Sequence, residues 1–136
     1  MSRRVLVLDD DPQRLAWFAA NIGPTDIFET ATTAQEAIDW LAWSKPDLPF
    51  HEVYLDHDLG GEVYVPDWRK DTGSEVARWI LSNRPTIGKI IVHSMNTPAA
   101  NRMVKWLTRG GYQAEYISFL ALEANGLPHA TEGVCP

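Results

Sequence analysis

Short apolar runs alternate with stretches of helical periodicity along most of this chain. Val5 to Leu8 is a continuous apolar run, the mark of a strand buried on both faces. Asp9, Asp10 and Asp11 follow at once, then Pro12; Asp11 is placed to cap a helix that the proline opens. From Pro12 to Ile22 the apolar positions Leu15, Phe18, Ala19 and Ile22 fall on one helical stripe. Gly23-Pro24 ends it, and Ile27 to Ala31 reads as a second, shorter strand. Thr32 or Thr33 caps the next helix, with Glu36 three residues past Thr33 in capping-box spacing and Ala34, Ala37, Ile38 and Leu41 on its inner face.

A proline-bounded connection then leads into a third strand, about Glu52 to Asp56. The least regular stretch comes next, Gly60 to Thr72, before a helix from Gly73 to Asn83 that Thr72 caps. Lys89 to Val92 is the fourth strand, and Pro98 to Arg109 a helix with Ala100, Met103, Val104 and Leu107 as its stripe. Gly110-Gly111 stops that helix, and Ala114 to Phe119 is the fifth strand. Residues 120–136 carry little pattern beyond one short turn of helix, so the last helix is expected to be short or absent. Five strands alternating with helices predict a parallel sheet covered on both faces, a three-layer α/β sandwich. At 136 residues the chain is read as a single domain, 1–136, with a long 60–72 loop over the site and an irregular 120–136 tail.

Composition narrows the classes without choosing a chemistry. Apolar content of 45% and charged content of 22% suit an ordinary soluble domain. The net charge of −6 argues against a nonspecific duplex DNA-binding surface and leaves room for a local anion pocket. Cys135 is the only cysteine, so an intramolecular disulfide is ruled out, which fits a reducing compartment. No signal peptide or membrane-length apolar run is present, and a cytoplasmic protein with no membrane association is expected.

The polar residues gather at the predicted carboxyl ends of the strands, where open α/β sheets bind their ligands. Asp9 and Asp10 follow the first strand, Asp56, His57 and Asp58 the third, and His93, Ser94 and Asn96 the fourth. Two carboxylates at about 4 Å repel by roughly 4 kcal/mol at an effective dielectric near 20. Either a cation sits among them or one is protonated. Oxygen ligands with room for water favour Mg²⁺ or Mn²⁺ over zinc. His57 and His93 are candidates for general base and general acid. Ser94 and Asn96 are candidates to bind phosphate oxygens; no glycine-serine elbow surrounds Ser94 to make it a nucleophile. In the 60–72 loop, Tyr64, Trp68, Arg69 and Lys70 are the residues able to close over a base and a phosphate. Trp40 and Trp43 are read as packing or a contact surface, and His51 as structural at the far sheet edge.

With these residues in view, the chain up to Phe119 resembles a receiver domain of two-component signalling. Asp9 and Asp10 match the pair that binds Mg²⁺ in that family, Asp56 the phospho-acceptor, and Ser94 the hydroxyl that senses it. The resemblance implies a flavodoxin-like five-stranded sheet of order 2-1-3-4-5. Three features depart from it: no lysine in Tyr116-Ile117-Ser118-Phe119-Leu120, a longer loop after Asp56, and a curtailed last helix. They are better matched by the cyclic-phosphate processing receiver-like family. The motifs that carry this are Leu8-Asp9-Asp10-Asp11-Pro12, Leu55-Asp56-His57-Asp58-Leu59-Gly60 and His93-Ser94-Met95-Asn96. That family implies a metal on Asp9, Asp10 and Asp56. It implies acid-base or phosphate-binding roles for His57, His93, Ser94 and Asn96, and an orienting or metal-shell role for Asp58. Its expected substrate is a nucleotide or RNA-end cyclic phosphate. Three functions stand side by side on the sequence: a metal-assisted phosphoesterase or cyclic-phosphate binder, a receiver phosphorylated on Asp56, and a non-catalytic pseudo-receiver that binds a protein partner.

Overall fold

A computed structural model describes residues 3–59 and 71–128. The expected loop residues Tyr64, Trp68, Arg69 and Lys70, and the tail residues His129 and Cys135, lie outside the described residues. Five parallel strands form one sheet: β1 (Arg4–Leu8), β2 (Ile27–Ala31), β3 (Phe50–Leu55), β4 (Ile87–Val92) and β5 (Ala114–Tyr116). Their order is β2-β1-β3-β4-β5, as the receiver resemblance implied. Five helices connect and close it: α1 (Pro12–Asn21), α2 (Ala34–Trp43), α3 (Gly73–Asn83), α4 (Thr97–Arg109) and α5 (Phe119–Asn125). Among the described residues no helix is long and apolar enough to cross a membrane.

The alternation along each strand sorts the core into two clusters. Leu6, Leu8, Val53, Leu55, Ile90 and Val92 pack with Ala37, Leu41, Val76, Ile80, Met103 and Leu107, so α2, α3 and α4 cover one face. Val5, Val7, Tyr54 and Ile91 pack with Phe18, Ile22, Phe119 and Leu122, so α1 and α5 cover the other. Phe18 is fully buried, a contribution of about 1.5–3 kcal/mol from apolar transfer alone.

The helix entries follow the capping chemistry read from the sequence. Asp11 accepts from Gln13 N–H at 2.8 Å, and Thr33 rather than Thr32 caps α2 by accepting from Glu36 N–H at 3.1 Å. Glu36 reaches back to Thr32 N–H at 3.0 Å, one residue earlier than a standard capping box places it. Thr72 accepts from Glu75 N–H at 3.3 Å at the start of α3.

The end of the sheet differs from the sequence expectation. β5 stops at Tyr116, and Ser118 accepts from Ala121 N–H at 3.2 Å to open α5 at Phe119. The stretch expected to be irregular from 120 therefore begins inside a seven-residue helix. A serine cap overrides the strand-like alternation of Tyr116 to Phe119, and Phe119 is buried beside Trp17 and Phe18.

Candidate functional site

Strand register assembles the site. Leu8 pairs with Leu55, and Leu55 with Val92. One residue further on, the ladder continues as Asp56 N–H to Leu8 O and His93 N–H to Leu55 O, both 3.0 Å, with Asp9 N–H bonded to Ala31 O at 3.0 Å. Asp9, Asp56 and His93 therefore stand side by side at the carboxyl edge of β1, β3 and β4. Side chains alternate with period two. Val7, Tyr54 and Ile91, two residues back in each strand, all face α1 and α5, so these three polar groups turn to the same side. One ligand atom from each lies within 4.8 Å of the others, and all three residues are buried.

The cation demanded by these carboxylates is present in the chain itself. Arg14, in the first turn of α1, donates Nε to Asp9 Oδ2 at 2.8 Å, and Nη2 to Asp9 Oδ1 at 3.0 Å and Asp56 Oδ2 at 3.2 Å. Its Nε is also 3.9 Å from Asp11. A positive charge at a helix N-terminus opposes the macrodipole; the aspartates around Arg14 offset that. Sequence reasoning passed over Arg14. The available signal was a basic residue in a helix's first turn directly after three aspartates.

Burial, the strongest influence on Asp9, works to raise its pKa. The hydrogen bond and charge of His93, the Arg14 bond and the Asp11 N–H together outweigh it and hold the carboxyl below its ordinary range. At Asp56 burial wins: desolvation first, with the charges of Asp9 and Asp58 adding to it, pushes the carboxyl up to about 6 against the pull of His93 and Arg14. Arg14 is held above its ordinary value, since its bond to Asp9 and the surrounding carboxylates overcome its own burial.

His93 Nε2 lies 2.8 Å from Asp9 Oδ2. A carboxylate only accepts, so Nε2 carries the proton. The ring is wedged against Phe18, centroids 5.3 Å apart, above Tyr54 at 6.5 Å. Its Nδ1 is buried with no hydrogen-bond partner among the described residues. Metal-bound histidines normally anchor the second ring nitrogen on a carboxylate, carbonyl or water. His93 has that anchor in place, with Nε2 held on Asp9.

The other polar residues form separate groups. His57 is one residue out of phase with Asp56 and turns toward α3, where its Nδ1 is 2.9 Å from Ser74 Oγ and 3.4 Å from Ser74 N–H. The two histidines therefore look to opposite faces of the sheet. Asn96 caps α4, accepting from Ala99 N–H, while its Nδ2 donates to Asp58 Oδ1 at 3.3 Å and its N–H to Ser94 Oγ at 3.0 Å. Asp58, Ser94 and Asn96 are buried; Asp10 is half-buried and lies outside the close-packed Asp9, Asp56 and His93 group. His51 accepts from Arg4 N–H at 2.9 Å, at the far end of the sheet. As a donor set, two carboxylates and an imidazole suit a divalent cation. The carboxylates serve Mg²⁺, and the nitrogen widens the choice to Mn²⁺.

Comparison with known proteins agrees with this arrangement at the level of fold and family. The signal receiver domain of a Luxo repressor protein from Vibrio parahaemolyticus is similar, with a TM-score of 0.58 at 18% identity over 97% of this chain and 92% of that one. A mutant receiver domain of the histidine kinase CKI1 from Arabidopsis thaliana gives 0.56 at 19% identity, over 96% and 90%. At such identities the likeness carries the fold alone. No curated protein matches the chain. The sequence profile of the cyclic-phosphate processing receiver domain matches residues 4–109, the whole span from the start of β1 to the end of α4. That span encloses every residue of the acidic pocket, and the chain belongs to the cyclic-phosphate processing receiver domain family.

Proposed function

We propose that the pocket binds a divalent cation, Mg²⁺ or Mn²⁺, on Asp9 and Asp56 with Asp10 at its rim, and processes a cyclic phosphate ester of a nucleotide or RNA end. The observation that carries this reading is the convergence of Asp9, Asp56 and His93 within 4.8 Å at the carboxyl edge of the sheet. A bound cation would supply charge stabilisation for the phosphoryl oxygens. His93 handles the proton at Nε2, and Asp9 fixes the direction of that N–H. Ser94 Oγ already accepts from Asn96 N–H, so its hydroxyl proton is what it offers a phosphoryl oxygen. Asp58 holds the Asn96 amide in place. His57, with Nδ1 accepting from Ser74 N–H, presents Nε2 as its donor and acts from the α3 side.

A receiver phosphorylated on Asp56 is the second reading. Asp56 stands directly beside Asp9, with Ser94 at the next strand end, which supports it. One experiment separates the two. The protein is incubated with Mn²⁺ or Mg²⁺ and, in parallel, with 2′,3′-cyclic nucleotides and with acetyl phosphate. Ring-opened product that falls at least about a hundredfold in His93→Ala and in Asp56→Asn supports the phosphoesterase. A phosphoryl adduct lost only in Asp56→Asn, with no turnover, replaces it with the receiver. Silence in both arms leaves a partner-binding module in the cytoplasm, for which the exposed Trp43 on α2 is the natural contact.

A further inference from the structure

We infer that Arg14 is an internal counter-cation that a metal must displace, so that cation uptake is an exchange of one positive charge for another. The inference rests on the metal-binding part of the reading above and concerns how that site is loaded. Asp9 offers about four acceptor positions, and all are taken. Oδ2 receives Arg14 Nε and His93 Nε2, both at 2.8 Å; Oδ1 receives Arg14 Nη2 at 3.0 Å and Asp11 N–H at 2.9 Å. The Asp11 N–H belongs to the turn into α1 and stays with the backbone. His93 is wedged between aromatic rings and bonded through the ladder to Leu55. Arg14 alone among these donors is a side chain with somewhere to go.

Its destination is already shaped. Arg14 lines an open cleft of about 530 Å³, with Asp11, Gln13, Trp17, Phe119 and Glu123 on its walls. The guanidinium carbon sits 6.0 Å from the centroid of the Phe119 ring, and Asp11 is 3.9 Å from Nε. A rotation of the side chain out of the pocket keeps the charge against an aromatic face and two carboxylates. Arginine suits such a move: its flat fork pairs bidentately with Asp9 in one position and stacks on a ring in the other. Leaving also frees Asp56 Oδ2, the third acceptor it holds.

The test uses the full chain and the metal alone. Mn²⁺ and Mg²⁺ affinities are measured calorimetrically for the wild type, Arg14→Gln and Arg14→Lys, with circular dichroism to confirm each fold. The Arg14 Nε–H resonance, assigned by its loss in Arg14→Gln, is followed for protection from exchange. Expected is a tighter site in Arg14→Gln by roughly ten- to a hundredfold, the range over which a charge-assisted hydrogen bond counts. Arg14→Lys, which keeps the charge but not the fork, should fall between them, and protection of the Nε–H should vanish as metal is added. Metal binding by the wild type with the Nε–H still protected, or equal affinity in Arg14→Gln, overturns the exchange and leaves the metal site standing. Failure of all three proteins to bind either cation overturns both.

Discussion

At the scale of single residues, the pocket sets the ionisation of Asp56 against its burial. Its folded value of about 6 lies above the ordinary 3.8. Below pH 4 the carboxyl is protonated in folded and unfolded chains alike. Between about 4 and 6 only the folded chain holds the proton, so this group's contribution to stability declines as pH rises and is constant beyond. Asp56→Asn should therefore raise unfolding free energy by up to about 3 kcal/mol above pH 7, and by almost nothing near pH 4. Urea titrations of the two proteins across that range measure it, and a difference independent of pH would remove the burial account. Asp9 acts in the opposite sense, stabilising above its ordinary value and losing that as pH falls. These residues were legible in the sequence because polar groups ending apolar runs are costly unless used. Arg14 was not, because nothing in a helical stripe says which polar neighbour folds back over the strand ends. The split between His93 and His57 was legible in principle: it is the period-two alternation carried one residue past Val92 and two past Leu55.

Among the elements, the entry of α3 is the tightest junction with the site. Gly73 N–H bonds His57 O at 3.1 Å. A side chain on Gly73 would collide with the Asp56 carbonyl oxygen, and would lie 2.7 Å from the Asp56 carbonyl carbon and 2.8 Å from His57 Cα. These are backbone atoms, with no flexible end to yield. Gly73→Ala should cost about 1–3 kcal/mol as an overpacked contact, and shift the amide resonances of Asp56 and His57. An unchanged melting temperature with unmoved resonances would show that α3 retreats freely. The same glycine reads in sequence only as a mediocre first helical residue, since close approach between distant segments leaves no local mark. The strands and the first four helices, by contrast, were marked by apolar period and by caps at Asp11, Thr33 and Thr72. The fifth strand was overextended because Ser118 looks as much like a strand residue as a cap.

For the molecule as a whole, the division of helices between two faces gives the carboxyl edge two unequal halves. The α1/α5 side holds Asp9, Asp56, His93 and Arg14; the α3/α4 side holds the hydrogen-bonded groups around His57, Ser94, Asn96 and Asp58. Mn²⁺ at about a hundred times its Kd should add about 2.7 kcal/mol to folded-state stability, seen as a rise of several degrees in Tm that EDTA reverses; no shift at saturating metal counts against a metal on Asp9 and Asp56. The Arg14 pairing has a consequence beyond the site. Domains whose clustered ligands repel one another until an ion arrives fold only when that ion is supplied. Here the neutralising charge is written into the chain four residues before Phe18, ahead of the carboxylates of β3 in order of synthesis. The clustered carboxylates can therefore pack at this end of the sheet against a charge the chain itself supplies.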